Sequence, residues 1–324
     1  MAVLFKKESL KYLDLPDIVN LLFLLFLTAV NIIFNSVLPH WYLFSITNIV
    51  LSIVIFIIVV KYESAPLELK RQEKFSLLRL VRFWYPMLLI LFVFKEIYVL
   101  VRPINPNDID LALIKIDFWV FGANPTQWVF RFANPLLTEF LQIIYSLYYL
   151  VIPAYGIEVY MKKRYSDFNY SVFILFTGFY LAYILYLIFP AVGPRFFLHN
   201  FYSIEAELPG FFLTDLLRVF LNFGESIPAG VTNPQDYVQR DAMPSLHAVA
   251  AILLAYLAKK LKLKSFYFYL PYCILMLIAT VYLRYHYVVD LIAGALVAFI
   301  TVLIGRLVYH TKDGVTITKS VSNI

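Results

Sequence analysis

The chain has 324 residues, 62% of them hydrophobic and 15% charged, with a formal net charge of +6. Soluble domains hold about 45–50% apolar and about 25% charged residues, so this composition excludes a soluble enzyme and predicts an all-α, polytopic membrane bundle. The basic charges lie mainly in short loops between apolar runs, which is a topology signal and not a nucleic-acid footprint; the single cysteine, Cys273, excludes an intrachain disulfide or a cysteine metal cluster.

Residues 1–16 are mixed and basic, with Lys6, Lys7 and Lys11. Eight apolar runs follow, at about 18–38, 42–60, 83–101, 137–160, 171–190, 245–258, 266–283 and 288–308. Each is near the ~20 residues that a helical span needs, and the first lacks a cleavage site, so it is expected to be retained as a span. With the N-terminus inside, nineteen of the 27 Lys and Arg fall on the cytoplasmic side, in 1–16, 61–82, 161–170, 259–265 and after 305. The other face holds eight: Lys95, Arg102, Lys115, Arg131, Arg195, Arg218, Arg240 and Arg284. Both termini are therefore expected in the cytoplasm. The stretch 102–135 is too polar to span; its Asp108, Asp110 and Asp117 alternate with apolar residues, which predicts an amphipathic helix in the outer interface. The chain divides into a two-span region with a cytoplasmic loop (1–82), spans three and four with this interfacial segment (83–170), a catalytic core (171–309) and a cytoplasmic tail (310–324).

The stretch that carries chemistry is Arg284-Tyr285-His286-Tyr287-Val288-Val289-Asp290 at the head of the last run. His286 and Asp290 are four apart, so a helix sets them one turn from each other. A carboxylate there can take one ring N–H and leave the other nitrogen free as base or nucleophile. The same topology delivers Arg195 after the fifth run and His247 at the head of the sixth, in Pro244-Ser245-Leu246-His247. Two histidines, an aspartate and two arginines thus arrive at one membrane level. Pro244 and Ser245 mark a helix start, whose positive end favours an anion. A phosphate fits: Arg195 and Arg284 as forked donors, Ser245 at the helix end, His286 attacking phosphorus and His247 protonating the departing oxygen. Arginines and helix dipoles supply the charge stabilisation, so no metal or other cofactor is expected. Two histidines and an aspartate also match zinc chemistry, but the His-Glu-x-x-His pattern is missing.

These residues resemble the type 2 phosphatidic acid phosphatase superfamily. Pro244-Ser245-Leu246-His247 is similar to its second motif, and His286 with Asp290 and Leu291-Ile292-Ala293-Gly294 to its third. Gly193-Pro194-Arg195, Arg284-Tyr285-His286-Tyr287 and Asp117-Phe118-Trp119-Val120-Phe121-Gly122 resemble the inositol phosphorylceramide synthase-like branch. The superfamily's first motif places a Lys ahead of an Arg. Lys95 with Arg102-Pro103 has that spacing; Arg195 has the expected order along the chain, but Ile188 stands where the Lys would be. Arg195 is the preferred equivalent, with Lys95 and Arg102 as further phosphate-binding candidates. Ala279 and Thr280 stand where the third motif has Ser-Arg, and Arg284 substitutes from closer in. The resemblance implies a helical membrane fold, a phosphohistidine route with His286 as nucleophile, Asp290 as its orienter and His247 as acid, and a membrane lipid phosphate as substrate. The expected activity is a lipid phosphatase or phosphotransferase at the outer (periplasmic or lumenal) face, with water, an alcohol or a lipid as acceptor and no nucleic-acid partner. The alternative is a transporter or binding protein that uses the His/Arg cluster as a substrate site. Transporters place such sites at the midplane, often between paired repeats, and no repeat is evident here.

Overall fold

The computed structural model describes residues 7–70, 72 and 76–313. The start of the basic N-terminal stretch and, from residue 314 on, the expected tail lie outside the described residues. The principal helices are α1 (Leu15–Ile33), α2 (Trp41–Glu63), α3 (Ser76–Ile104), α4 (Asp110–Phe121), α5 (Pro135–Ser146), α6 (Tyr148–Met161), α7 (Tyr165–Ile188), α8 (Thr214–Gly224), α9 (Leu246–Lys260), α10 (Phe266–Tyr282) and α11 (Val288–Asp313). Among the described residues there is no strand. Among the described residues, four helical segments are long and apolar enough to cross a bilayer: α1, α2, α7 and Val288–Tyr309 of α11. The pair α5 and α6, bent by 48°, makes a fifth if it forms one span. The protein is a polytopic, all-helical integral membrane protein. The other runs expected to span are helices too, α3 of 29 residues, α9 of 15 and α10 of 17.

The chain forms two compact units. Among the described residues, one takes those within 7–96, 156–180 and 303–313; the other takes 97–155 and 181–302. In the first, Pro16 opens α1 and Asp17 accepts from the Asp14 N–H at 2.8 Å, which satisfies one of the orphan donors at a helix start. α1 and α2 pack on each other, and buried polar contacts tie both to α3. Arg82 holds Asp17 with two bonds, 3.0 and 2.9 Å, and the Tyr85 hydroxyl adds a third at 2.7 Å. Asn31 and Asn48 both donate to the same oxygen of Glu96, at 2.8 and 2.9 Å. In an apolar medium such groups must find partners in the protein, and this ladder fixes the register of α1, α2 and α3.

The second unit departs from the sequence expectations in three places. The run at 137–160 is not one straight helix: it breaks at Leu147 into α5 and α6. Pro153 lies inside α6, beyond the break, and cannot donate to the Tyr149 carbonyl one turn earlier. The helix expected in 102–135 forms as α4, but its acidic side chains turn inward. Asp110 and Asp117 are buried, while Phe118, Trp119, Val120 and Phe121 are exposed. Both carboxylates have backbone donors to satisfy inside the unit, which outweighs the attraction of water. Finally, the connection 191–243 contains α8, whose Thr214, Arg218 and Leu221 are buried while Leu216, Val219, Phe220 and Phe223 are exposed. Glu139 of α5 anchors its start, accepting from the N–H groups of Phe211, Leu213 and Thr214 at 3.0, 2.7 and 3.2 Å.

Candidate active site

His286 stands in the short link between α10 and α11. The link closes α10 by backbone bonds from Tyr285 and His286 to the Thr280 carbonyl, 2.9 and 3.1 Å, with Arg284 in the left-handed region at φ 67°. It opens α11 by a carboxylate cap: Asp290 accepts from the Tyr287 N–H at 2.9 Å, and Asp117 accepts from Val288 and Val289, both at 2.9 Å. Three N–H groups at the start of α11 are thereby paired with two buried carboxylates, which the positive end of the helix favours. His247 is the second residue of α9, whose N-cap is Ser245; its Oγ accepts from Ala248 N at 3.3 Å. Ser245 N also donates to the Asp290 carbonyl at 3.0 Å. The two helix starts lie so close that a Cβ at Gly294 would stand 2.7 Å from the Ser245 carbonyl oxygen.

The two histidines meet. His247 Nδ1 is 3.2 Å from His286 Nε2. On the far side of the His286 ring, Nδ1 is 3.0 Å from the Ala242 carbonyl and 3.4 Å from Asp290 Oδ2. A carbonyl only accepts, so Nδ1 carries the hydrogen and Nε2 presents its lone pair toward His247. Sequence spacing points to Asp290 as the partner of Nδ1; the closer partner is the Ala242 carbonyl, which no side-chain pattern reveals. Burial pushes the His286 pKa down to about 4, against the pull of Asp241, the Ala242 carbonyl and Glu225, so the ring is neutral near pH 7. Asp241, another group that sequence reasoning missed, is itself pushed up, first by burial and then by the Glu225 charge.

His247 is held in an aromatic slot. Tyr145 stacks on it with centroids 4.5 Å apart, and Tyr148 lies tilted at 4.4 Å. Tyr145 also stacks on Tyr285 at 4.2 Å. Tyr145 and Tyr148 are three residues apart, a spacing that sets both toward the same ring. Arg195 follows Gly193, whose φ of +98° suits glycine and whose Cβ would meet the Tyr285 carbonyl oxygen at 2.5 Å. The Arg195 guanidinium lies over the Tyr285 ring at 4.6 Å, bonds Asn222 at 3.3 Å and pairs with Glu225. Arg284 pairs with Glu207. In both arginines Nε is buried with no hydrogen-bond partner. Asp110 braces the assembly, accepting from Val192 N, Gly193 N and the Tyr287 hydroxyl at 3.0, 2.9 and 2.9 Å.

The second unit thus brings together His247, His286, Asp290 and Ser245, with Arg195 and Arg284 on adjoining links. Arg102 is bound instead to Asp236, and both side chains are about half exposed. Lys95 falls in the first unit. The stretch 117–122 gave a sequence signal for Asp117. Tyr145, Tyr148, Glu207 and Glu225 gave none, because their importance comes from packing across elements.

The chain is thus an all-helical membrane protein in which two histidines from separate helix starts meet in one unit. A model of the PAP2 superfamily matches residues 111–304, more than half of the chain, and the chain belongs to that superfamily. Membership supports a phosphatase-type activity on lipid phosphoesters in general. Neither a curated protein nor a solved structure matches the chain.

Proposed function

We propose that the protein cleaves a lipid phosphoester at the outer membrane face through a phosphohistidine on His286, and passes the phosphoryl group to water or an alcohol. The observation that carries this reading is the His247 Nδ1–His286 Nε2 contact of 3.2 Å with Nδ1 of His286 bound on its other side. The lone pair on Nε2 forms the N–P bond as the P–O bond breaks. His247, which takes up a proton as the anionic phosphate binds, gives that proton to the departing oxygen. It then takes a proton from the incoming water or alcohol, whose oxygen attacks phosphorus and returns the lone pair to His286. Asp290 and the Ala242 carbonyl stabilise the charge that the ring gains.

Arg195 and Arg284 form the clamp in this reading. Each exchanges its glutamate for phosphate oxygens, and the unpartnered Nε atoms complete the forks. Ser245 contributes through the start of α9 and not through its hydroxyl, which the cap already uses. Lys95 and Arg102 have no part in it. The nineteen-to-eight distribution of Lys and Arg supports cytoplasmic termini and an outward site. The test is to incubate purified protein with a panel of lipid phosphates, with and without alcohol acceptors. Inorganic phosphate alone identifies a hydrolase; a new phosphodiester identifies a transferase. Neither product, or unchanged turnover in His286→Ala, contradicts the reading.

A further inference from the structure

We propose that Asn31, Asn48 and Glu96 bind a monovalent metal cation, sodium, in the core of the first unit. The three residues come from three helices, α1, α2 and α3, and none belongs to the histidine site.

All three side chains are buried, with exposures of 0%, 0% and 1%. Both amides donate to the same carboxylate oxygen: Asn31 Nδ2 reaches Glu96 Oε1 at 2.8 Å and Asn48 Nδ2 reaches it at 2.9 Å. Three oxygens are then left over. Glu96 Oε2, Asn31 Oδ1 and Asn48 Oδ1 are buried and have no hydrogen-bond partner. Each is an acceptor when Glu96 is ionised, so they cannot satisfy one another. Unpaired buried acceptors are costly, and a buried carboxylate needs a compensating charge. Among the described residues, burial and the two amides act on Glu96, and no charged side chain does.

The donor set selects the ligand. Carboxylate and amide oxygens suit hard cations. One positive charge neutralises Glu96, whereas a divalent ion leaves an excess charge in apolar surroundings. A proton on Oε2 is the competing solution, but it supplies a single O–H, which serves one amide oxygen and strands the other. A sodium ion draws on the carboxylate and both amides together. A half-turn of an asparagine about Cβ–Cγ exchanges N and O on a planar group of nearly the same shape, which brings the amide oxygen beside the carboxylate. Thr28 and Ser45 add two oxygens about one turn away. Each is buried, stands three residues before an asparagine, and donates to a carbonyl at 2.9 Å (Leu24 and Trp41) while its own oxygen can still accept.

The test uses the full chain in detergent, in sodium chloride and in choline chloride of equal concentration. Radioactive sodium should bind as a single ion per chain, and sodium should raise the thermal midpoint above its value in choline. Asn31→Leu and Asn48→Leu should each weaken sodium binding about ten-fold, as the loss of one charge-assisted contact predicts. Glu96→Gln should abolish sodium binding and give the same midpoint in both salts. It keeps the shape of the carboxyl group and supplies an N–H for an amide oxygen, so it should fold without sodium. A wild type that binds no sodium and has equal midpoints in the two salts overturns the site, whatever the variants do. A midpoint that follows pH but not sodium overturns the metal in favour of a proton. Sodium binding retained in Glu96→Gln places the ion elsewhere, and a stronger response to calcium than to sodium overturns the monovalent assignment.

Discussion

Asp110 and Tyr287 are joined by a 2.9 Å hydrogen bond in which the buried carboxylate accepts from the hydroxyl, 177 residues away along the chain. The same carboxylate holds the backbone of Val192 and Gly193, so one side chain ties the Arg195 link to the residue after His286. Asp110→Asn should therefore lower kcat on a lipid phosphate with little change in KM. One acceptor oxygen becomes an amide that faces donors, and both links relax. A displacement of about 1 Å at a reacting group costs about 10²-fold. A kcat within two-fold of wild type, in a folded variant, would refute the bracing role.

The neutral state of His286 makes activity depend on pH in a definite direction. The nucleophile must be unprotonated, so the acid limb of kcat/KM should follow a pKa of about 4, with a decline at higher pH set by the proton that His247 must carry. Asp241 and Glu225 raise this pKa and Arg195 lowers it. Asp241→Asn should move the acid limb to lower pH, and Arg195→Gln should move it upward. The pH profile of kcat/KM for each variant checks both signs. A shift of the acid limb to higher pH in Asp241→Asn would contradict the account.

The aromatic slot predicts a leaving-group effect. Tyr145→Leu removes the ring stacked on His247 and loosens the proposed acid without deleting it. Turnover of a lipid phosphate, whose alkoxide is a poor leaving group, should fall more than turnover of nitrophenyl phosphate. The loss should stay below the ~10²–10⁴-fold that general acid catalysis supplies. Equal losses on both substrates would mean that Tyr145 serves the fold alone.

Much of the site was legible because its polar residues are costly in a membrane protein. His247, His286 and Asp290 stand at the ends of apolar runs, and helical spacing alone couples the last two. The start of α9 was legible from Pro244 and Ser245. What was not legible depends on contacts between distant segments. Asp110 and Asp117 alternate with apolar residues and read as the wet face of an interfacial helix, yet backbone donors from other segments draw them inside. The bend at Leu147 and the inward face of α8 are likewise settled by packing and not by local pattern. Asp17, Asn20 and Asn31 lay in a stretch without evident chemistry, and the contacts with Arg82, Tyr85 and Glu96 give them a structural role.

That structural role predicts an asymmetry in stability. Arg82 and Asp17 are both buried and doubly bonded. Removing Asp17 takes from Arg82 its one fully buried carboxylate and leaves it the part-exposed Asp14 and Glu63, each at 3.2 Å, at a cost of up to about 3–5 kcal/mol. Asp17→Leu should lower the thermal midpoint in detergent substantially. The double variant Asp17→Leu with Arg82→Met should be less destabilised than Asp17→Leu alone, because neither charge is then stranded. A double variant that loses the sum of the single effects would show that the two residues act independently.

The central claim is that His286 takes the phosphoryl group and His247 handles the proton, and trapping of the phosphoenzyme tests it most directly. Protein quenched during turnover of a labelled lipid phosphate should carry acid-labile, base-stable phosphate on His286. That label should be absent in His286→Ala. In His247→Ala it should still form from nitrophenyl phosphate, which needs little help from an acid, while turnover of the lipid substrate falls about 10²–10⁴-fold. Label that persists in His286→Ala and vanishes in His247→Ala for both substrates would reverse the two roles; label on neither histidine during active turnover would contradict the phosphohistidine route.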